Sequence, residues 1–280
     1  RKRVKNTPAV GDILGASQKF LRNAGGAAEE RELLSSHKPL VEGVTANHLA
    51  LFLEMTKAFY SYPADENFIS FYYLDKESLK RASDFVGQFA KYARAKKKEI
   101  LAGGFAAHLA SFLKQKKVDS KIADRYLSIS KKISKNPYGD VGLAEWPEID
   151  PRTIRDRIYL VLKKNGKPVH FEDIAGLINE TRFSGRKALA PTVHNELIKD
   201  PRFVLVGRGI YGLAEQGYEP GTAKEVIHKI LKKQGPMSLE EVVLAVQKDR
   251  FFKSNTILAN LQNKELFDRM EGGAYRARVS

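Results

Sequence analysis

Catalysis needs nucleophiles, paired titratable groups or metal ligands at workable spacing, and this chain offers few. Its six histidines are His37, His48, His108, His170, His194 and His228, and none sits in an H-E-x-x-H pattern or another metal-ligand spacing. There is no cysteine, which excludes disulfides, thiolate-held zinc, iron–sulfur clusters and thiol catalysis. The Gly-Lys-Ser/Thr of a phosphate loop and the G-x-S-x-G of a serine hydrolase are both missing. Carboxylate pairs such as Glu172-Asp173 fall at expected helix starts, where the helix dipole accounts for them. One pattern does invite a nucleotide: Gly207-Arg-Gly-Ile-Tyr-Gly212 matches G-x-G-x-x-G. That chemistry requires the glycines to lead from a strand into a helix whose N-terminus meets the pyrophosphate. Here Leu213–Gly217 is too short for such a helix, so the glycines read as a turn. The expectation is a protein that is no enzyme and holds no cofactor and no metal.

A second set of side chains has the chemistry of base edges and phosphates. Val193 and Leu197 are four apart and mark the buried face of a helix. Thr192, His194, Asn195 and Lys199 then face outward, with Arg186 and Lys187 just before them and Arg208 at a following turn. Asn pairs bidentately with adenine, and Arg and Lys neutralise phosphates. Further along, Lys253, Asn255, Thr256 and Asn260 occupy the equivalent places around Ile257 and Leu261, with Arg276 and Arg278 after a second turn. Lysine runs at 96–98, 114–117 and 131–135 add positive charge, or serve as solvated helix faces. The lone tryptophan, Trp146, either packs between units or stacks on a base.

These two sets are positioned by a repeat. Residues 153–213 and 222–277 each carry an apolar helix ending in Leu-Lys-Lys-Asn/Gln-Gly, at Leu162–Gly166 and Leu231–Gly235. Glycine after two cations suits a helix C-terminus, and Pro168 and Pro236 prevent continuation. A second helix follows, begun by His170 or by Ser238, a good N-cap. Thr192 to Thr256 and Tyr211 to Tyr275 share one offset of 64, so the third helix and a terminal Gly-turn hairpin form one unit. Three helices and a hairpin in about 60 residues is the plan of a winged helix. Residues 1–75 read as a worn version: a helix through Gln18–Asn23, a second from Glu29, a third over Thr45–Thr56, and a hairpin around Pro63–Asn67. Residues 76–150 read as helical, with apolar segments 100–113 and 122–133, a break at Gly103-Gly104 and a single strand at Val141–Trp146. The fold expectation is mainly α with small β-hairpin wings, in tandem winged-helix units at 1–75, 151–219 and 220–280, with 76–150 either a helical unit or a winged helix with a degenerate wing.

Charge supports a polyanionic partner. The 280 residues carry 48 Lys and Arg against 33 Asp and Glu, a net +15. Residues 1–75 hold nine of each sign, whereas 76–150 hold 16 basic against 9 acidic. The two later units are +4 each, so the excess lies wholly after residue 75. No apolar run approaches the roughly 18 residues of a membrane span, and no signal peptide is visible. A cytoplasmic, nucleoid-associated protein without membrane contact is expected.

The run from Ile154 to Leu213 resembles the HARE helix-turn-helix family, also found in the delta subunit of bacterial RNA polymerase. The residues that carry it are Leu162-Lys-Lys-Asn-Gly-Lys-Pro168, Ile174, Thr192-Val193, Leu197, Asp200, Phe203 and Gly207-Arg-Gly-Ile-Tyr211. It covers about a quarter of the chain strongly and 222–277 more loosely. The resemblance implies a winged-helix module of DNA-linked, transcription-associated proteins. Delta's long acidic tail is missing, since this chain ends Tyr-Arg-Ala-Arg-Val-Ser280, so acid-driven displacement of nucleic acid is not carried over. The arrangement also resembles bacterial proteins in which a sigma-factor region-four module precedes this domain, with Arg1–Asn6 as the stub of that module. Two functions follow as expectations: binding of double-stranded DNA beside RNA polymerase, or a protein-interaction scaffold in the transcription machinery with little direct DNA binding.

Overall fold

The computed structural model describes residues 10–36, 59–181, 183 and 185–278. It is mainly helical, with several small antiparallel sheets. The Thr45–Thr56 helix and the Arg1–Asn6 stub lie outside the described residues. Contacts divide the chain into two compact units, 1–150 and 151–280. Among the described residues no helix is long and apolar enough to cross a membrane.

In the second unit, residues 151–219 (copy one) and 220–280 (copy two) repeat one order of elements. Copy one runs through helices Ile154–Asn165, Phe171–Glu180 and Ala190–Lys199 into a hairpin of Phe203–Gly207 and Ile210–Leu213. Copy two runs through Ala223–Gln234, Leu239–Asp249 and Ser254–Leu261 into Phe267–Arg269 and Tyr275–Ala277. Thr192 and Thr256 therefore both stand on third helices. The first helices start where a threonine and an acid three residues later exchange hydrogen bonds. The Thr153 N–H donates to Asp156 Oδ2 at 3.1 Å, and that of Thr222 to Glu225 Oε2 at 2.7 Å. They stop where Gly166 and Gly235 take φ of 70° and 87°, with their N–H groups donating to the carbonyls of Leu162 and Leu231.

One element escaped the sequence reading. Val169–His170 forms a short strand between the first two helices and pairs antiparallel with Ile210–Tyr211. The second strand of the hairpin is thus the middle of a three-stranded sheet. Copy two repeats this as a single bridge, in which Met237 and Tyr275 exchange N–H···O bonds of 3.0 and 2.7 Å. The first unit does the same with Ala27–Glu29 against Phe71–Tyr73. A two-residue strand has no readable alternation, which is why it passed as a linker.

Copy one closes over Ile158, Leu162, Ile174, Ile178, Val193, Leu197, Phe203, Tyr211 and Leu213. Copy two closes over Ile227, Leu231, Val242, Val246, Ile257, Leu261, Phe267 and Tyr275. Each large aliphatic among them contributes roughly 1.5–3 kcal/mol of burial. Trimming fully buried Leu162 to Ala would cost about 2–5 kcal/mol.

In the first unit, residues on both sides of position 75 share one core: Phe68 and Phe71 of the first hairpin pack with Phe85, Phe89, Phe112 and Tyr126. The Tyr126 hydroxyl donates to the Gly25 carbonyl at 2.6 Å. Helices Lys76–Ala95, Phe105–Lys116 and Ser120–Ser128 precede a hairpin, Ile133–Lys135 with Val141–Leu143. Two expectations are corrected. The segment 122–133 leaves the helix at Ser128 and becomes a strand, and Val141–Trp146 is half of a hairpin rather than a single strand. The Asn136 side chain makes the turn between them, accepting from the Tyr138 and Asp140 N–H groups at 2.9 and 3.0 Å. Gly103, at φ 94°, breaks the preceding helix as expected. Trp146 is buried with Ala90, Ile100, Leu143 and Ile149, so no face is open to a base.

Candidate nucleic-acid interface

Within each copy the third helix differs from the other two at its start. Thr153, His170, Thr222 and Ser238 all engage the first turn of the helix they begin; Ser238 Oγ accepts from the Glu241 N–H at 3.3 Å, and the Glu172 N–H donates to His170 Nδ1 at 3.4 Å. The third helices begin at Leu189 and Lys253, and neither has a side-chain cap. Pro191 supplies no N–H in the first turn of copy one, and in copy two the Thr256 N–H donates to the Lys253 carbonyl at 2.8 Å.

The chain entering each third helix is held by an amide at the same repeat position. In copy one Asn179 Nδ2 donates to the Ala188 carbonyl at 3.0 Å, and its Oδ1 accepts from the Ala188 N–H at 2.8 Å. In copy two Gln247 Nε2 donates to the Phe252 carbonyl at 3.1 Å. Copy one has four more residues between Asn179 and Thr192 than copy two has between Gln247 and Thr256. Buried Arg157 braces that loop, its Nη1 donating to the Arg186 carbonyl at 3.2 Å. A Cβ at Gly185 would come within 2.5 Å of Arg157 Nη2. The loop borders a cleft of about 600 Å³ lined by Asn179, Glu180, Phe183, Arg186 and Lys187 among others. Sequence reasoning missed Asn179, Gln247 and Arg157. The amides stand 68 apart, the offset of Pro168 and Pro236, and that repetition was the available signal.

On this frame Arg186, Lys187, Thr192, Asn195, Lys199 and Arg208 are exposed, as are Lys253, Asn255, Thr256 and Arg276. Arg186, Lys187, Arg208 and Lys253 pair with no carboxylate among the described residues. Arg208 stands at the hairpin turn beside Gly209, whose φ is 71° and whose carbonyl accepts from the Phe171 N–H at 2.9 Å. Lys199 lies 4.0 Å from Glu196, a carboxylate already engaged by Arg155.

Three of the expected contact residues are engaged within the chain. His194 is half-buried: it stacks on Phe171, centroids 4.5 Å apart, and meets the Tyr211 ring edge-on at 6.0 Å. The unforeseen strand brings the second helix and the sheet against that side of the third helix. Asn260 is half-buried and donates from Nδ2 to the Thr256 carbonyl at 2.7 Å, which engages one of its two amide hydrogens. Arg276 lies in a strand and is held by Asp268 at 3.3 Å. Arg278 shares that carboxylate at 2.6 Å, and the two guanidiniums, Arg278 foremost, hold Asp268 below the usual carboxylate range. The lysine runs of the first unit are also partly committed: Lys96 pairs with Glu99, Lys97 with Glu148, and Lys131 Nζ donates to the Asp65 carbonyl.

The glycine pattern 207–212 lies on strand, turn and strand, not at a helix start. Among the described residues no group of three or more His, Asp or Glu side chains is arranged to hold a metal. No family model matches the chain, and no curated protein matches its sequence.

Proposed function

We propose that the chain binds double-stranded DNA through the third helices of copies one and two, as a tandem winged-helix protein. The observation that carries this reading is the third helix of copy one. It starts uncapped, shows Thr192 and Asn195 to solvent, and is flanked by the unpaired cations Arg186, Lys187 and Arg208. An uncapped helix start, exposed amide and hydroxyl side chains, and uncompensated guanidinium and ammonium groups match phosphate and base-edge chemistry together. Copy two presents a second version, Lys253, Asn255 and Thr256, with the hairpin cations Arg276 and Arg278 sharing the carboxylate of Asp268. Binding is then mainly electrostatic with modest sequence preference. The resemblance to the HARE family supplies the setting of nucleoid and transcription, beside RNA polymerase.

The deciding experiment is binding to unrelated duplexes across a salt series. A protein that neutralises several phosphates loses affinity with a log–log slope near −0.9 per phosphate contacted. Absence of binding at ~50 mM salt with the fold intact would favour the second reading, a scaffold for proteins of transcription. That reading is supported by exposed Leu189, Ile198 and Leu205 in copy one, which are 61%, 65% and 50% accessible.

A further inference from the structure

The glycines that imitate a nucleotide fingerprint have a different use in this fold. Phe251, just before the third helix of copy two, lies parallel to the outer edge of copy one's hairpin. Its N–H donates to the Val206 carbonyl at 2.9 Å. A Cβ at Gly207 would sit 2.9 Å from Phe251 Cβ and 3.0 Å from its carbonyl oxygen. At the other strand, a Cβ at Gly212 would sit 2.7 Å from the ring of Tyr218, in the linker between copies. Buried Arg250 completes the seam, donating from Nη2 to the Glu219 carbonyl. Only the middle glycine, Gly209, serves the turn itself. Copy two is the internal control. Its turn keeps a glycine at 273, φ 81°, where copy one has Gly209, but Glu271 and Arg276 replace Gly207 and Gly212. Glycine is present in copy one, where Phe251 and Tyr218 lie against the hairpin.

We infer that this seam is a positioning joint that locks the two third helices into one two-pronged reader, so that both meet a duplex without a further ordering cost. The inference rests on the DNA-binding reading. Two flexibly tethered modules bind through an effective concentration set by the tether, whereas a rigid pair has its geometry fixed in advance. Gly207 and Tyr218 act here through the copies they join and touch no DNA themselves.

The test uses the absence of native cysteine. Spin labels on Asp173→Cys and Glu240→Cys, both exposed at second-helix starts, report the distance between copies. The parent chain should give one narrow distance distribution. Gly207→Val should broaden it and raise the Kd for duplex DNA about tenfold at an unchanged salt slope, because the same phosphates are still contacted. Tyr218→Ala, which removes bulk and adds none, should act in the same direction if Gly207→Val folds poorly. A broadened distribution with unchanged Kd, or a distribution that stays narrow in both folded variants, overturns the inference while leaving DNA binding intact. A parent chain with a narrow distribution and no duplex binding overturns the DNA reading, and the inference with it.

Discussion

Replacing Lys187, Lys199 and Arg208 together with Ala removes three exposed charges and no core contact. Affinity for every duplex should fall and the salt slope should become shallower by up to about 0.9 for each phosphate no longer contacted. Titrations at several salt concentrations check this, and an unchanged slope would mean these cations face no phosphate. Asn195→Ala should leave the slope alone and reduce discrimination between sequences, by roughly 1–3 kcal/mol if its amide reads adenine. Its neighbour His194 belongs to packing: His194→Ala should lower the melting temperature and change duplex affinity no more than that loss of stability does. The four-residue spacing of Val193 and Leu197 made both residues look exposed. What separates them is Phe171, brought alongside by a two-residue strand with no legible alternation. Asn260 shows another limit, since no sequence pattern tells that a side-chain amide will fold back on its own helix.

The elements themselves were readable where they carry chemical punctuation. Leu-Lys-Lys-Asn-Gly and Leu-Lys-Lys-Gln-Gly announce helix ends, and Ser238 announces a start, because caps are local chemistry. Pairings between distant segments, such as Met237 with Tyr275 or Phe251 with Val206, leave no such local mark. Ser238→Ala should therefore destabilise copy two by about 0.5–2 kcal/mol, seen in denaturant melts, by stranding the Glu241 N–H. Acid should do the same more broadly. Glu225 and Glu241, accepting from the cap N–H groups, and Asp200, accepting from Arg202, all sit below the usual carboxylate range when folded. Their contribution is complete above the unfolded value of about 4 and is lost as pH falls through the lower folded values. A melting temperature that stays flat between neutrality and pH 4 and drops below it is the expected result.

At the scale of the whole molecule, the second unit should melt as one body. Copies one and two share the Phe251–Val206 bond and the folded-back linker, so residues 151–280 should unfold in one transition rather than two. Calorimetry on that fragment checks it, the calorimetric and van't Hoff enthalpies agreeing only if the seam holds. The seam is also heterologous: the edge of one hairpin receives the inter-helix segment of the next copy. A contact of that kind, presented at both ends of a molecule, generates open-ended filaments. Copy two's hairpin lacks both glycines that the seam uses in copy one. Its outer strand Phe267–Arg269 pairs only with Tyr275–Ala277 among the described residues, yet Glu271 and Arg276 stand where a follower would need bare backbone. Those two side chains guard the hairpin edge against a further copy docking as Phe251 does. Glu271→Gly with Arg276→Gly should open that edge, and sedimentation should then show concentration-dependent growth from a species that is otherwise of fixed size.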